Sequence, residues 1–185
     1  MFHIKVSDEI LQHSQYQVDH YDFGKRYYAN GDKEQQLTGV IGQSIIMNMF
    51  DQGYVDGSKG CDDGTDIDLD GCSIDVKTMG RTVRPQPGYV NNYMACQAKF
   101  KTQVLIFCSY NKNNNELTVC GWIPKEDFLK KATFCPKGTP RLRRNGTSFF
   151  VKADMYEIEN FKIYDVFSEK ELIEQISLWW HTHKH

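Results

Sequence analysis

The stretch TDIDLDGCSIDVKT, Thr65 to Thr78, carries aspartates at positions 66, 68, 70 and 75 and a lysine at 77. Carboxylates this close together suit a divalent cation, and an ammonium beside them can stabilise charge on an anionic reaction centre. Two chemistries compete for the segment. An EF-hand loop beginning at Asp66 would use Asp66, Asp68 and Asp70 as ligands, with Gly71 at the sharp turn. Its twelfth position, which should be a bidentate acid, is Lys77, and its eighth, normally apolar, is Ser73. The preceding DGSKGCDDGT is unsuited to the entering helix. The calcium loop is therefore the weaker reading.

The stronger one starts from Asp70–Gly71. An Asp-Gly pair between alternating runs signals a two-residue hairpin turn. Leu69 then pairs with Cys72, Asp68 with Ser73, Ile67 with Ile74 and Asp66 with Asp75. Ile67, Leu69, Cys72, Ile74 and Val76 share an apolar face, and Asp66, Asp68, Ser73, Asp75 and Lys77 share the other. A one-residue slip would bury the aspartates, so pattern and turn fix the same register. Asp66 and Asp75 face each other with Cβ atoms roughly 4.5–5.5 Å apart, a like-charge pair that a divalent cation would relieve. Two carboxylates, Mg²⁺ and Lys77 make a unit suited to attack on a phosphodiester: the metal polarises phosphate and activates water, and the ammonium stabilises the developing charge. The alternative is a solvated acidic hairpin face.

At these residues the chain resembles the PD-(D/E)XK nucleases, the restriction-endonuclease-like superfamily. Asp66, the hairpin turn, and Asp75-Val76-Lys77 match an acid on one strand followed by (D/E)-x-K on the next. The preceding helix holds Gly39-Val-Ile-Gly42-Gln43, similar to the family's G-x-x-G-E, with Gln43 where the acid would stand. A glutamine can hold a water or position a ligand but brings no charge. Thr65 replaces the family's proline. The resemblance covers Thr38 to Thr78. It implies a central mixed β-sheet flanked by helices, and the length of 185 residues without a Pro/Ser-rich linker suits one α/β domain, residues 1–185. It implies Mg²⁺-dependent hydrolysis of DNA, with Mn²⁺ as a substitute and endonuclease cleavage expected first. Carried over, Asp66 and Asp75 are metal ligands, the Val76 carbonyl is a third, Lys77 is the catalytic lysine and Gln43 lies beside the site. Many relatives act as homodimers, although no dimer face is legible in this sequence. Gln43 leaves open a second reading, an inactive nucleic-acid-binding module on the same fold.

The elements that must position these residues read as follows. Val6 to Gln17 suits a helix with Ser7 as its N-cap. Leu37, Val40, Ile41, Ile45 and Met49 keep one face of a helix over Glu34 to Gln52. Strands are expected at Asp66–Leu69 and Cys72–Thr78, an irregular segment through TVRPQPGYVNN, and a helix over Asn92 to Phe100. TQVLIFCSY and ELTVCGWI read as buried strands. Pro124 opens a short helix to Lys131. One or two strands lie between Ser148 and Phe167, and Ser168 to Trp179 closes as a helix with a Ser168–Glu171 capping box. The pattern predicts a mixed α/β sandwich around one sheet.

Charge is asymmetric although the net is only −2: six aspartates and no base lie between positions 62 and 75, and five cations and no acid between 137 and 152. That suits an acidic metal site beside a surface for a polyanion, or two solvated loops of opposite sign. Arg81, Arg84 and Gln86 follow the catalytic strand and are candidates for phosphate contacts. Arg141, Arg143 and Arg144 are candidates for a backbone-binding arm, with a solvated hairpin loop as the alternative. Phe149, Phe150, Trp122, Trp179 and Trp180 read as packing residues, and the tail carrying His181, His183 and His185 as a frayed end. Asp68 reads as solvated rather than as a ligand. The six cysteines lack a C-x-x-C pair, which argues against zinc. No signal-peptide pattern and no long apolar run occur, so a soluble cytoplasmic protein is expected.

Overall fold

The computed structural model describes residues 1–23, 32–60, 64–142 and 146–183. In chain order its elements are strand β1 (Phe2–Lys5), helices α1 (Asp8–His20) and α2 (Lys33–Met49), and strands β2 (Ile67–Leu69), β3 (Cys72–Arg81), β4 (Val90–Met94), β5 (Val104–Asn111) and β6 (Glu116–Pro124). Helix α3 (Lys125–Lys131), strands β7 (Thr133–Cys135), β8 (Pro140–Leu142), β9 (Ser148–Phe150) and β10 (Met155–Glu159), and helix α4 (Glu169–His183) complete them.

The apolar runs of β5 and β6 are buried along almost their whole length and form the middle of a five-stranded sheet ordered β1-β6-β5-β3-β2. β3 runs parallel to β5, and the remaining neighbours are antiparallel, so the sheet is mixed. One face carries Ile74, Val76, Ile106, Cys108 and Val119 against Ile41 and Ile45 of α2 and Leu172 and Ile176 of α4. The other carries Leu105, Phe107 and Ile123 against Tyr93 of β4, Phe128 of α3 and Ile158 of β10. The result is a single α/β domain, with both sheet faces covered as a strand parallel to its neighbour requires.

Local signals account for most of these elements. The Ser7 hydroxyl accepts the Ile10 amide and starts α1; Asp32 accepts the Gln35 amide and starts α2. Ser168 Oγ accepts the Glu171 amide while Glu171 Oε2 accepts the Phe167 amide, a reciprocal cap on α4. The β2–β3 hairpin has the expected register, Ile67 with Ile74, Asp68 with Ser73 and Leu69 with Cys72. Asp70 and Gly71 take φ of 51° and 85°, the left-handed values of a primed two-residue turn.

Several expectations need correction. Asn92 to Phe100 is not a helix: β4 runs to Met94 and a 3-10 turn covers Ala95–Lys99. The backbone there alternates, turning Asn91 and Tyr93 inward, and β4 pairs with β10 in a second, three-stranded sheet β4-β10-β7. Pairing across β10 outweighs the weak helical preference of Asn and Tyr. A single sheet is therefore too few, since β8 and β9 form a separate ribbon as well. β1 has no counterpart among the expected strands, since four residues offer too short a period to read. The C-terminal end is not frayed through His183, because α4 continues to that residue, whereas His185 lies outside the described residues. Phe149 and Phe150 are 40% and 67% exposed on the ribbon rather than packed in the core. Among the described residues no helix is long and apolar enough to cross a membrane.

Helix α2 lies close against β3 at Gly42, where an added Cβ would fall 1.9 Å from Thr78 Oγ1; at Gly39 it would meet nothing within 4 Å. Gly42→Ala should therefore force helix and strand apart and destabilise by about 2 kcal/mol. Gly39→Ala, in the same helix, should stabilise by about 0.5–1 kcal/mol. Urea unfolding of the two variants checks the opposite signs.

Candidate active site

Strand alternation sends Ile74, Val76 and Thr78 toward α2, and Asp75 and Lys77 toward the layer of β4, β10 and α3. Asp75 sits beside Leu105 and Lys77 beside Phe107 in the parallel ladder, so both polar side chains leave an otherwise apolar face. Asp75 is 1% exposed. Its Oδ1 accepts a hydrogen bond from Lys77 Nζ, and its Oδ2 is buried without a hydrogen-bond partner. The Lys77 ammonium also lies 5.7 Å from the centre of the Tyr93 ring, within cation–π range.

Asp66 precedes β2 rather than belonging to it. Its amide donates to Ile74 O, and its Oδ2 accepts the Val76 amide at 2.7 Å. Because β2 starts one residue later, Val76 has no strand neighbour for that N–H, and the Asp66 carboxylate takes the role. Asp66 and the Asp75-Val76-Lys77 run thus meet where the short edge strand ends. Gln43 follows Gly42 on α2, half-buried, on the helix covering the opposite face of the sheet from Asp75 and Lys77. The small residue before it is explained by the Thr78 contact. Asp68 is turned to the hairpin loop, where its Oδ1 accepts the Gly71 amide at 2.9 Å.

Three residues not singled out in the sequence belong to this cluster. The Tyr93 hydroxyl donates to Gln97 O at 2.7 Å. Lys125 Nζ donates to the same carbonyl at 3.4 Å and also to Phe100 O. Burial pushes the Tyr93 hydroxyl pKa well up, and the Asp75 charge adds to the effect. Burial lowers the pKa of Lys125; Asp75 opposes that shift and Lys77 reinforces it, so these three charges feel one another. Lys125 had one sequence signal: a cation in the first turn of a helix, where acids are favoured.

Among the described residues, the phosphate-binding candidates Arg81, Arg84 and Arg141 are each engaged within the chain. Arg81 is the last residue of β3, not a loop residue; its Nη2 donates to Val90 O at 2.7 Å and its guanidinium stacks 4.8 Å from the Tyr89 ring centre. Burial lowers its pKa. Arg84 makes a bidentate pair with Glu116, both contacts 2.6 Å, and holds that glutamate below the usual carboxylate range. Arg141 pairs with Glu157 at 2.6 Å and donates to Cys135 Sγ at 3.0 Å. Gln86 is exposed, and its backbone carbonyl accepts Asn160 Nδ2 at 2.8 Å. Arg143 and Arg144 lie outside the described residues.

Chemically, the cluster offers hard oxygen donors suited to a small divalent cation, and the buried Asp75 Oδ2 without a partner fits such a role. Among the described residues no group of three or more His, Cys, Asp or Glu comes together, so a cation here could draw on two carboxylates plus backbone oxygen. Mg²⁺ accepts such a set, since it keeps several waters and takes one or two carboxylates.

Removing one partner of the Asp75–Lys77 pair leaves a buried, uncompensated charge. Lys77→Met should destabilise by about 3–5 kcal/mol, and the double variant Asp75→Asn, Lys77→Met should recover most of that loss. Chemical denaturation of the four proteins in the cycle measures it. No protein-family model, no curated protein and no solved structure matches this chain.

Proposed function

We propose that the protein is a Mg²⁺-dependent nuclease of the restriction-endonuclease-like fold that hydrolyses DNA phosphodiester bonds, cleaving internally. The observation that carries this reading is the buried Asp75, with one oxygen on Lys77 and the other unpartnered, two residues apart on one strand and next to Asp66. Beyond the ion pair, Asp75 keeps a second anionic oxygen with no protein hydrogen-bond partner in an apolar layer, a position that a cation can fill.

Asp66 and Asp75, with the Val76 carbonyl, would hold the cation, which when bound supplies Lewis-acid polarisation of the phosphate and a more acidic water. Lys77 is held against Asp75, where its ammonium can meet the charge that develops on the phosphate oxygens. Water oxygen bonds to phosphorus, the P–O bond to the leaving sugar oxygen breaks, and that oxygen takes up a proton. Gln43, expected beside the site, is on the helix that covers the other face of the sheet, so the site works with two carboxylates.

Incubation with duplex, single-stranded and branched DNA in Mg²⁺ or Mn²⁺ tests the reading. Cleavage should require the cation and fall by about 10²–10³-fold in Asp75→Ala and Lys77→Ala, compared where circular dichroism shows each variant folded. Undiminished cleavage in both would overturn the assignment. Gln43, standing where the resembled family carries an acid, favours one second reading, a nucleic-acid-binding module without catalysis; the internal pairing of Arg84 and Arg141 favours neither. Calorimetry separates the two: Mn²⁺ binding lost in Asp66→Ala supports the nuclease, and DNA binding with no cation site supports the module.

A further inference from the structure

Lys125 is 6% exposed, and lysine is seldom buried unless it is paired. Its contacts are neutral: the backbone carbonyls of Gln97 and Phe100 accept from its ammonium. It also sits in the first turn of α3, where the helix dipole disfavours a cation. Neither helix stability nor a contacting carboxylate explains the placement. A residue that breaks a local rule without local compensation points to a role in a site.

Its neighbours indicate that role. Gln97 O accepts from both Lys125 Nζ and the Tyr93 hydroxyl. The Tyr93 ring in turn faces the Lys77 ammonium, which bonds Asp75. The Lys125 amide donates to Gln103 O at 2.8 Å, and Gln103 bonds Ser73 of β3 through both its amide and its side-chain carbonyl, at 2.9 and 2.7 Å. Two routes therefore run from the start of α3 to the strand that carries Asp75 and Lys77.

We propose that Lys125 is a positioning residue of this site: by fastening the 3-10 turn Ala95–Lys99 it fixes the Tyr93 ring and, through that ring, sets the Lys77 ammonium against Asp75. Its role in cleavage rests on the nuclease reading; its effect on Lys77 does not.

The test uses Lys125→Met, Lys125→Arg and Tyr93→Phe in the full chain. Nuclear magnetic resonance follows the Lys77 ε-methylene signal, identified by its loss in Lys77→Arg. In the wild type it should lie upfield of the other lysines because it faces an aromatic ring. In Lys125→Met it should return toward them, and in Lys125→Arg it should stay. Cleavage by Lys125→Met should fall in kcat by about 100-fold at unchanged KM, the cost of a misplaced group of about 1 Å. An unchanged Lys77 signal in folded Lys125→Met overturns the proposal, as does a wild-type kcat in that variant of a cleaving enzyme. If Lys125→Met does not fold, Tyr93→Phe decides: it keeps the ring but frees it from Gln97 O, and an unchanged Lys77 signal there overturns the proposal. A wild-type protein that cleaves no DNA overturns the nuclease reading alone, and the resonance shift still decides whether Lys125 positions Lys77.

Discussion

A carboxylate in an apolar layer has to be matched by charge and hydrogen bonds, and Asp75 imposes that constraint on everything around it. It leaves β3 beside Leu105 and Phe107, in a layer closed by Tyr93, Phe128 and Ile158. Lys77 supplies one partner, and the Tyr93 ring supplies a surface that holds that lysine in place. The second sheet and the first turn of α3 then close over the pair. On the opposite face no such demand exists, and Ile74 and Val76 pack as ordinary core residues against α2. One strand thus presents mainly apolar side chains to one layer and an ion pair to the other.

The part of this arrangement legible in the sequence is the part encoded locally. The Asp-Gly turn and the alternation on either side of it fix the hairpin, and every pair from Ile67–Ile74 to Leu69–Cys72 follows. Capping residues did the same for α1 and α4. What local pattern could not supply was the covering layer. Tyr93, Gln97 and Lys125 lie 18 to 50 residues beyond Asp75 in the chain, and nothing in their own neighbourhoods names their target. The start of β4 reads as irregular and its end as helix because its pairing partner, β10, lies about 60 residues away. The Asp66–Asp75 facing pair was also only half legible. The register stops at Ile67–Ile74, so Asp66 does not pair with Asp75 in the ladder; one oxygen of its carboxylate accepts the Val76 amide, a demand created by the early end of an edge strand.

Charge counting misleads in the same way. The run from Lys137 to Lys152 has no acid in sequence, yet Arg141 finds Glu157 on β10, and Arg84 finds Glu116 at the start of β6. Folding redistributes formal charge across elements that are distant in the chain. A basic stretch is therefore evidence for a polyanion surface only after its spatial partners are known.

The pairing of β1 with β6 sets an order on assembly. The hairpin β2–β3 closes over two residues and β5–β6 over four, whereas Phe2 must find Val119 across most of the chain. Loop-closure entropy grows with that separation, so the short-range pairs gain contacts first and β1 joins a sheet already formed. The strand bearing Asp75 and Lys77 lies on the far side of β5 from this late step. The N-terminal strand thus behaves as a latch on the finished sheet, and a nascent chain can build the carboxylate–ammonium cluster while that latch is still open.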